Sequence, residues 1–307
     1  MTGIHQRTAA AVTLIALLST GVPAAAQQKF GTPEDAVQAL VSAARAANKK
    51  QINAILGPGA NEITSSGDEV ADNATRAEFL AKYETKNQVV LKDATHAELL
   101  VGMGEWPFPI PIVQKNGSWL FDTAAGRDEI LARRIGRNEL DVIQVCLAIV
   151  DAQNEYREIN PERDGAYARR VISTPGKRDG LFWPRKNLDE PFSPLGEAAA
   201  YASAEGYKLG KGRTPYHGYY YALLTKQGAD ARGGAVDYVV NGKLIGGFAL
   251  IAYPAEYLNS GIMTFIVNHD GEVFQKDLGL RTAQIAGQMT TFNPDRTWAK
   301  VDITPVQ

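Results

Sequence analysis

A single cysteine, Cys146, stands in 307 residues, so no disulfide can form within the chain and its stability has to come from packing. Its neighbours in "DVIQVCLAIV" are apolar at helical spacing, which reads as a small buried hydrophobe rather than a reactive thiol. Histidine is nearly as scarce. Beyond residue 26 only His96, His217 and His269 remain, in different elements, and their spacing matches no zinc site. The sequence has no G-x-S-x-G elbow, H-E-x-x-H or C-x-x-C pair, phosphate-binding loop or strand-following G-x-G-x-x-G turn. The commonest enzyme templates are thereby excluded. Paired carboxylates for glycoside hydrolysis stay open, because their separation is a property of the fold. Neither sign of charge dominates: without the first 26 residues there are 31 basic and 34 acidic side chains, too balanced for a protein held by nucleic-acid phosphates. No later apolar run approaches roughly 20 residues, so no membrane-spanning helix is expected after residue 26.

Those first 26 residues have their own logic. Arg7 precedes "AAAVTLIALLSTGV" (9 to 22), and "PAAA" offers small residues for cleavage after Ala26. The pattern predicts a secretory signal peptide over 1–26 and a periplasmic or secreted product, with no cysteine placed to take a lipid.

Two α+β parts follow, expected over 27–126 and 127–307. Thr32 and Pro33 open a helix or helix pair to residue 56, with Ala36, Val37, Leu40, Val41, Ala44, Ile52 and Leu56 on one side. "GPGANEITSSGDEVADN" reads as a polar loop and "ATRAEFLAKYET" as a short helix. Alternating segments from 87 to 121 predict a curved antiparallel sheet, with "KNGS" as a hairpin turn. Within them, "GEWPFPIPIV" carries three prolines that exclude a central strand and suggest an edge, or the rim of a cavity. From Arg127 to Ile159 one apolar stripe, Leu131, Ile135, Val142, Val145, Ile149, Ala152, Tyr156 and Ile159, predicts a single long helix. Residues 160 to 214 are irregular and rich in Pro and Gly, and "HGYYYALLT", "VDYVVNG", "IGGFALIAYP", "IMTFIVNHDG" and "EVFQKDLG" predict an antiparallel meander under the helix.

Four tyrosines and a histidine fall within residues 216 to 221. Read as a strand covered on both sides, the stretch is core, with Tyr216 and His217 at its start the residues best placed to reach solvent. His217 beside Tyr216 and Tyr219 is the one acid/base candidate. "TPGKRDGLFWP" sets Arg178 and Asp179 near Trp183, a grip for an anionic glycan or a protein partner, or else turns that cover a sheet edge. "NPERDG" sets Asn160, Glu162 and Asp164 at alternate positions before a glycine, as in the first half of a calcium loop. The twelfth position is Val171, where such a loop needs a bidentate Glu, so a solvated helix-ending turn is the alternative and no other cofactor is expected.

Taken together, "RRIGRNEL", "STPGKRDGLFWP", "PYHGYYYALLT", "DYVVNGKLIGGFALIAYPAEY" and "MTFIVNHDGEVFQKDLG" resemble the secreted bacterial family known as domain of unknown function number 2950, over about residues 30 to 302. That resemblance implies no activity. At fold level the first part looks like nuclear-transport-factor-2-like cones, and the long helix with its meander looks like the globular half of pilins. Here the helix carries Arg133, Arg134 and Arg137 in place of a membrane-spanning stretch. The expectation is a non-catalytic binding or assembly module of the cell envelope with an envelope protein as partner. Its alternative is a small-molecule or glycan-directed enzyme, its pocket in the N-terminal cone or under the 175–183 loop. A concave pocket with convergent polar groups favours the second, and a flat aromatic and basic patch the first.

Overall fold

The Thr32 hydroxyl accepts the amide of Asp35 at 3.1 Å and Pro33 sits at the first helical position, so α1 (Pro33–Arg45) begins where the sequence sets it. Together with α2 (Lys49–Leu56) it forms the expected pair, and all seven residues of the stripe are buried. The computed structural model describes residues 27–185, 187, 189–207 and 214–303; the leader expected over 1–26 lies outside the described residues.

The next segment corrects the sequence reading. Residues expected to be loop form α3 (Ala60–Thr64) and the first turns of α4 (Glu69–Thr85), which starts five residues early because the Asp68 carboxylate accepts the amides of Val70 and Ala71 at 3.2 and 3.1 Å. Strands β1 (Asn87–Leu91), β2 (His96–Val101), β3 (Trp106–Pro107), β4 (Ile112–Lys115) and β5 (Ser118–Phe121) make an antiparallel sheet ordered β1-β2-β4-β5, with β3 a short edge piece on β2. Asn116 and Gly117 both have positive φ, the geometry of the two-residue hairpin turn expected at "KNGS". Helices α1 and α2 and this sheet enclose a first core that includes Leu40, Ile55, Leu99 and Phe121.

Helix α5 (Thr123–Ile159) is 37 residues, about 55 Å at 1.5 Å per residue, and begins four residues before Arg127. Its first turns belong to the first core. Ile130 packs there, and Gly126 lies so close to the Pro109 carbonyl that a Cβ would come within 2.4 Å of it. The boundary expected at 126/127 thus falls inside one helix. Farther along, Val142, Cys146, Ile149 and Val150 are buried in a second core against the C-terminal sheet, while Ile159, at the helix end, is exposed.

After α5 the chain is irregular until α6 (Gly196–Ala204), a helix that pattern reading missed. Strand β6 (Tyr219–Leu224) then pairs directly with β11 (Ala249–Pro254), continuing through β12 (Met263–Asn268), β13 (Val273–Asp277) and β15 (Ala299–Lys300), all antiparallel. The "VDYVVNG" segment is not a strand of this sheet. With its neighbours it forms β7 (Lys226–Gln227), β8 (Val236–Asp237), β9 (Val239–Val240) and β10 (Lys243–Leu244), small pairings beside it, because Asn241 and Gly242, both with positive φ, turn the chain back after two residues. Helix α7 (Thr282–Gln288) and β14 (Thr291–Phe292), parallel to β7, close the second core. The fold is mixed α+β, and among the described residues no helix is long and apolar enough to cross a membrane.

Candidate functional site

The tyrosine stretch does not begin as a strand. Tyr216 and Tyr219 exchange backbone hydrogen bonds of 2.9 and 3.1 Å, and His217 (φ +49°) and Gly218 (φ +73°) between them form a two-residue turn with both φ positive. Asn-Gly is the usual choice for that turn, as at 116–117 and 241–242; histidine in the left-handed region costs roughly 1 kcal/mol or more. The turn aims the imidazole back at α5, where Nδ1 meets the Asp141 carboxylate at 3.4 Å. Its ring stacks obliquely on Tyr216, centroids 4.1 Å apart, and Tyr216 in turn meets Tyr207 edge-on at 4.8 Å.

A buried carboxylate holds this cluster in place. Asp68 Oδ2 accepts the Tyr207 hydroxyl at 2.8 Å and the Gly218 amide at 3.0 Å, while Oδ1 caps α4. Across α5, the Asn138 amide donates to the Ser260 carbonyl at 2.8 Å, and Glu139 accepts the amides of Ile262 and Met263, both at 2.9 Å. A Cβ on Gly218 would stand 2.6 Å from Asn138 Nδ2. A Gly218→Ala variant, strained at positive φ and pressing on that amide, is expected to lose about 2 kcal/mol, measured by urea unfolding.

The cluster forms one end of a cavity of about 570 Å³. One wall is α5, whose Asp141, Gln144, Val145, Ala148 and Ile149 recur at helical spacing, polar first and then apolar. Facing it, α6 contributes Ala198, Ala199 and Ala202, with its N-cap Leu195 on the same stripe, and Val171, Ile172 and Phe182 close a side. The body of the cavity is therefore mostly apolar, Gln144 and Tyr201 being polar exceptions on the two helices, and its ionisable cluster of Asp141, Tyr207, Tyr216 and His217 lies at the turn. Burial pushes the Tyr216 phenol up to about 12, so it remains a hydrogen-bond donor at neutral pH, and among the described residues its hydroxyl has no partner. The Asp141 carboxylate lies 3.4 Å from His217 Nδ1, and among the described residues the ring's Nε2 has no hydrogen-bond partner.

The other residues singled out from sequence lie apart from this end. Trp183 is buried, edge-on to Tyr156 at 6.5 Å, and is not an exposed gripping surface. Arg178 covers its ring at 5.9 Å and pairs with Glu190 at 3.7 Å. Asp179 closes its own turn, accepting the Thr174 amide and hydroxyl, both at 2.7 Å. Tyr219 points into the second core, its hydroxyl donating to the Met263 carbonyl at 3.0 Å. Cys146 is buried, and burial pushes its thiol up to about 12.

At the proposed calcium loop, Glu162 and Asp164 share the Lys243 ammonium at 2.6 and 2.5 Å, and the Asn160 amide donates to Ala166 and Arg157 carbonyls. The Lys243 hydrogen bond holds the Asp164 carboxyl below the usual carboxylate range. A calcium ion at this loop would have to displace that ammonium. Among the described residues no group of three or more His, Cys, Asp or Glu side chains is set to hold a metal. Sequence reasoning found Tyr216 and His217 but missed Asp68, Asp141, Tyr207 and α6.

The family model described as "Protein of unknown function (DUF2950)" matches residues 27–301. No curated protein and no solved structure matches the chain.

Proposed function

For a chain that belongs to the DUF2950 family, whose description assigns no activity, we propose a small-molecule-binding protein of the cell envelope. Its ligand has a compact, mostly apolar body with a hydroxyl at one end. The observation that carries this reading is the cavity of about 570 Å³ between α5, α6 and the His217 turn, mostly apolar along its length, with Asp141, Tyr207, Tyr216 and His217 together at one end. That volume lies within the range of small-molecule pockets. A hydroxyl both donates and accepts, which matches a His217 ring nitrogen without a partner beside a donating Tyr216 phenol. The leader-like segment 1–26 supports export. With Trp183 buried and Arg178 paired, support for a flat protein-docking patch at 175–183 is weak.

His217 on Asp141 is also the arrangement of a general base, so a catalytic version of the same reading would use the ligand hydroxyl as its proton donor. Among the described residues that line the cavity there is no activated nucleophile, and binding is the reading we favour over turnover.

The test compares 2-naphthol with naphthalene by titration calorimetry. The hydroxyl should strengthen binding roughly two- to tenfold, the worth of one hydrogen bond. His217→Asn keeps a residue that tolerates the left-handed turn while removing the ring. In that variant the hydroxyl's advantage should shrink toward what the Tyr216 phenol alone supplies, with unfolding unchanged or slightly improved. Equal affinity of both ligands for the unaltered protein would remove the hydroxyl from the proposal.

A further inference from the structure

A second cavity, of about 320 Å³, lies in the N-terminal half between α1, α2, α4 and the start of α5. Its floor is apolar, built from Leu40, Ile52, Phe79 and Phe108, with the two phenyl rings 5.2 Å apart. Its lining also carries six bases, Lys49, Arg76, Lys82, Arg133, Arg134 and Arg137, against two acids, Asp72 and Glu78.

Most of these charges have partners. Lys82 pairs with Glu78 at 2.8 Å and Arg133 with Glu129. Asp72 accepts the Ser66 hydroxyl at 2.7 Å. Arg134 donates to the Glu62 and Ile63 carbonyls and to Asn259, a structural link between the two halves, and burial pushes its pKa down. Lys49, Arg76 on α4 and Arg137 on α5 are different: among the described residues none has a side-chain hydrogen-bond or ion-pair partner, although Arg137 lies near enough to Glu78 to add to the lowering of its pKa by the Lys82 hydrogen bond. Two guanidiniums without a direct partner at the edge of an apolar cavity form the recognition chemistry of an amphipathic acid. A guanidinium matches the planar carboxylate in charge and in its two acceptor oxygens, whereas a neutral alcohol accepts one hydrogen bond without charge pairing and a cation is repelled.

We propose that this cavity binds an amphipathic carboxylate, its acid at Arg76 and Arg137 and its hydrocarbon body on Phe79 and Phe108. At about 30 Å³ per non-hydrogen atom, 320 Å³ holds roughly ten atoms, a medium-length chain. This site is separate from the cavity at the His217 turn and does not depend on that reading.

The experiment is titration calorimetry of the purified protein with decanoate, decanol and decyltrimethylammonium. Decanoate should bind at least tenfold more tightly than either control, and its binding should weaken as salt rises. The R76Q/R137Q double variant, altered at two side chains without partners, should keep its melting temperature and bind decanoate at least tenfold more weakly. Ala148→Trp, which obstructs only the first cavity, should leave decanoate binding unchanged. The proposal is overturned if decanoate and decanol bind equally, if R76Q/R137Q binds decanoate as the unaltered protein does, if decanoate gives no binding heat, or if Ala148→Trp abolishes it.

Discussion

Replacing Asp68 with alanine is expected to cost about 3 to 5 kcal/mol of stability. Three losses combine. The cap of α4 is worth about 1 kcal/mol. The Tyr207 hydroxyl and the Gly218 amide, both donating to Asp68 Oδ2, are then left without acceptors in a buried place, at about 1 to 2 kcal/mol each. At this chain length the melting temperature should fall by roughly 5 to 9 °C, read by calorimetry. Asp68→Asn separates shape from charge: it keeps an oxygen for the cap but turns an amide donor toward two donors, so an intermediate loss of about 2 kcal/mol is expected. Because Gly218 belongs to the turn that carries His217, both variants should also weaken binding in the first cavity. A change under 1 kcal/mol in Asp68→Ala would mean that the carboxylate does not hold the turn.

Ala148→Trp is expected to abolish binding in the first cavity with almost no effect on the fold. Ala148 lines that cavity from the middle of α5 and is exposed, so an indole there fills ligand space rather than core. Surface substitutions of this kind change stability by about 0.5 kcal/mol or less. The neutral dye N-phenyl-1-naphthylamine, whose fluorescence rises in apolar surroundings, should bind the unaltered protein and lose at least tenfold in affinity to Ala148→Trp. Dye binding that survives the substitution would put the apolar site elsewhere.

The parts legible in the sequence were those governed by local rules. Thr32–Pro33 marks a helix start through capping, and Asn116–Gly117 a hairpin through positive φ. The 3.6-residue stripe of α5 is visible because one face of that helix lies on a sheet. The candidate site was half legible. Tyrosine density drew attention to 216–221, yet His217–Gly218 was read as strand because histidine is an uncommon residue for a left-handed turn. Asp68 was invisible for a physical reason: its partners Tyr207 and Gly218 are 139 and 150 residues away, and no local pattern encodes such a contact. Its cap was the signal available, an Asp before Glu69 and Val70, and it was hidden inside a glycine- and serine-rich stretch that reads as loop. Helix α6 was missed because "GEAAAYASA" is too short and too uniformly small to show an amphipathic period. Its small residues are what leave room for the cavity.

The central claim is that the cavity at the His217 turn holds a small molecule, and native mass spectrometry of the protein purified from its own cell envelope tests it most directly. The unaltered protein should carry an added mass that denaturation releases, and Ala148→Trp purified in parallel should lack it. If both proteins carry the same added mass, or the unaltered protein carries none, the claim is contradicted.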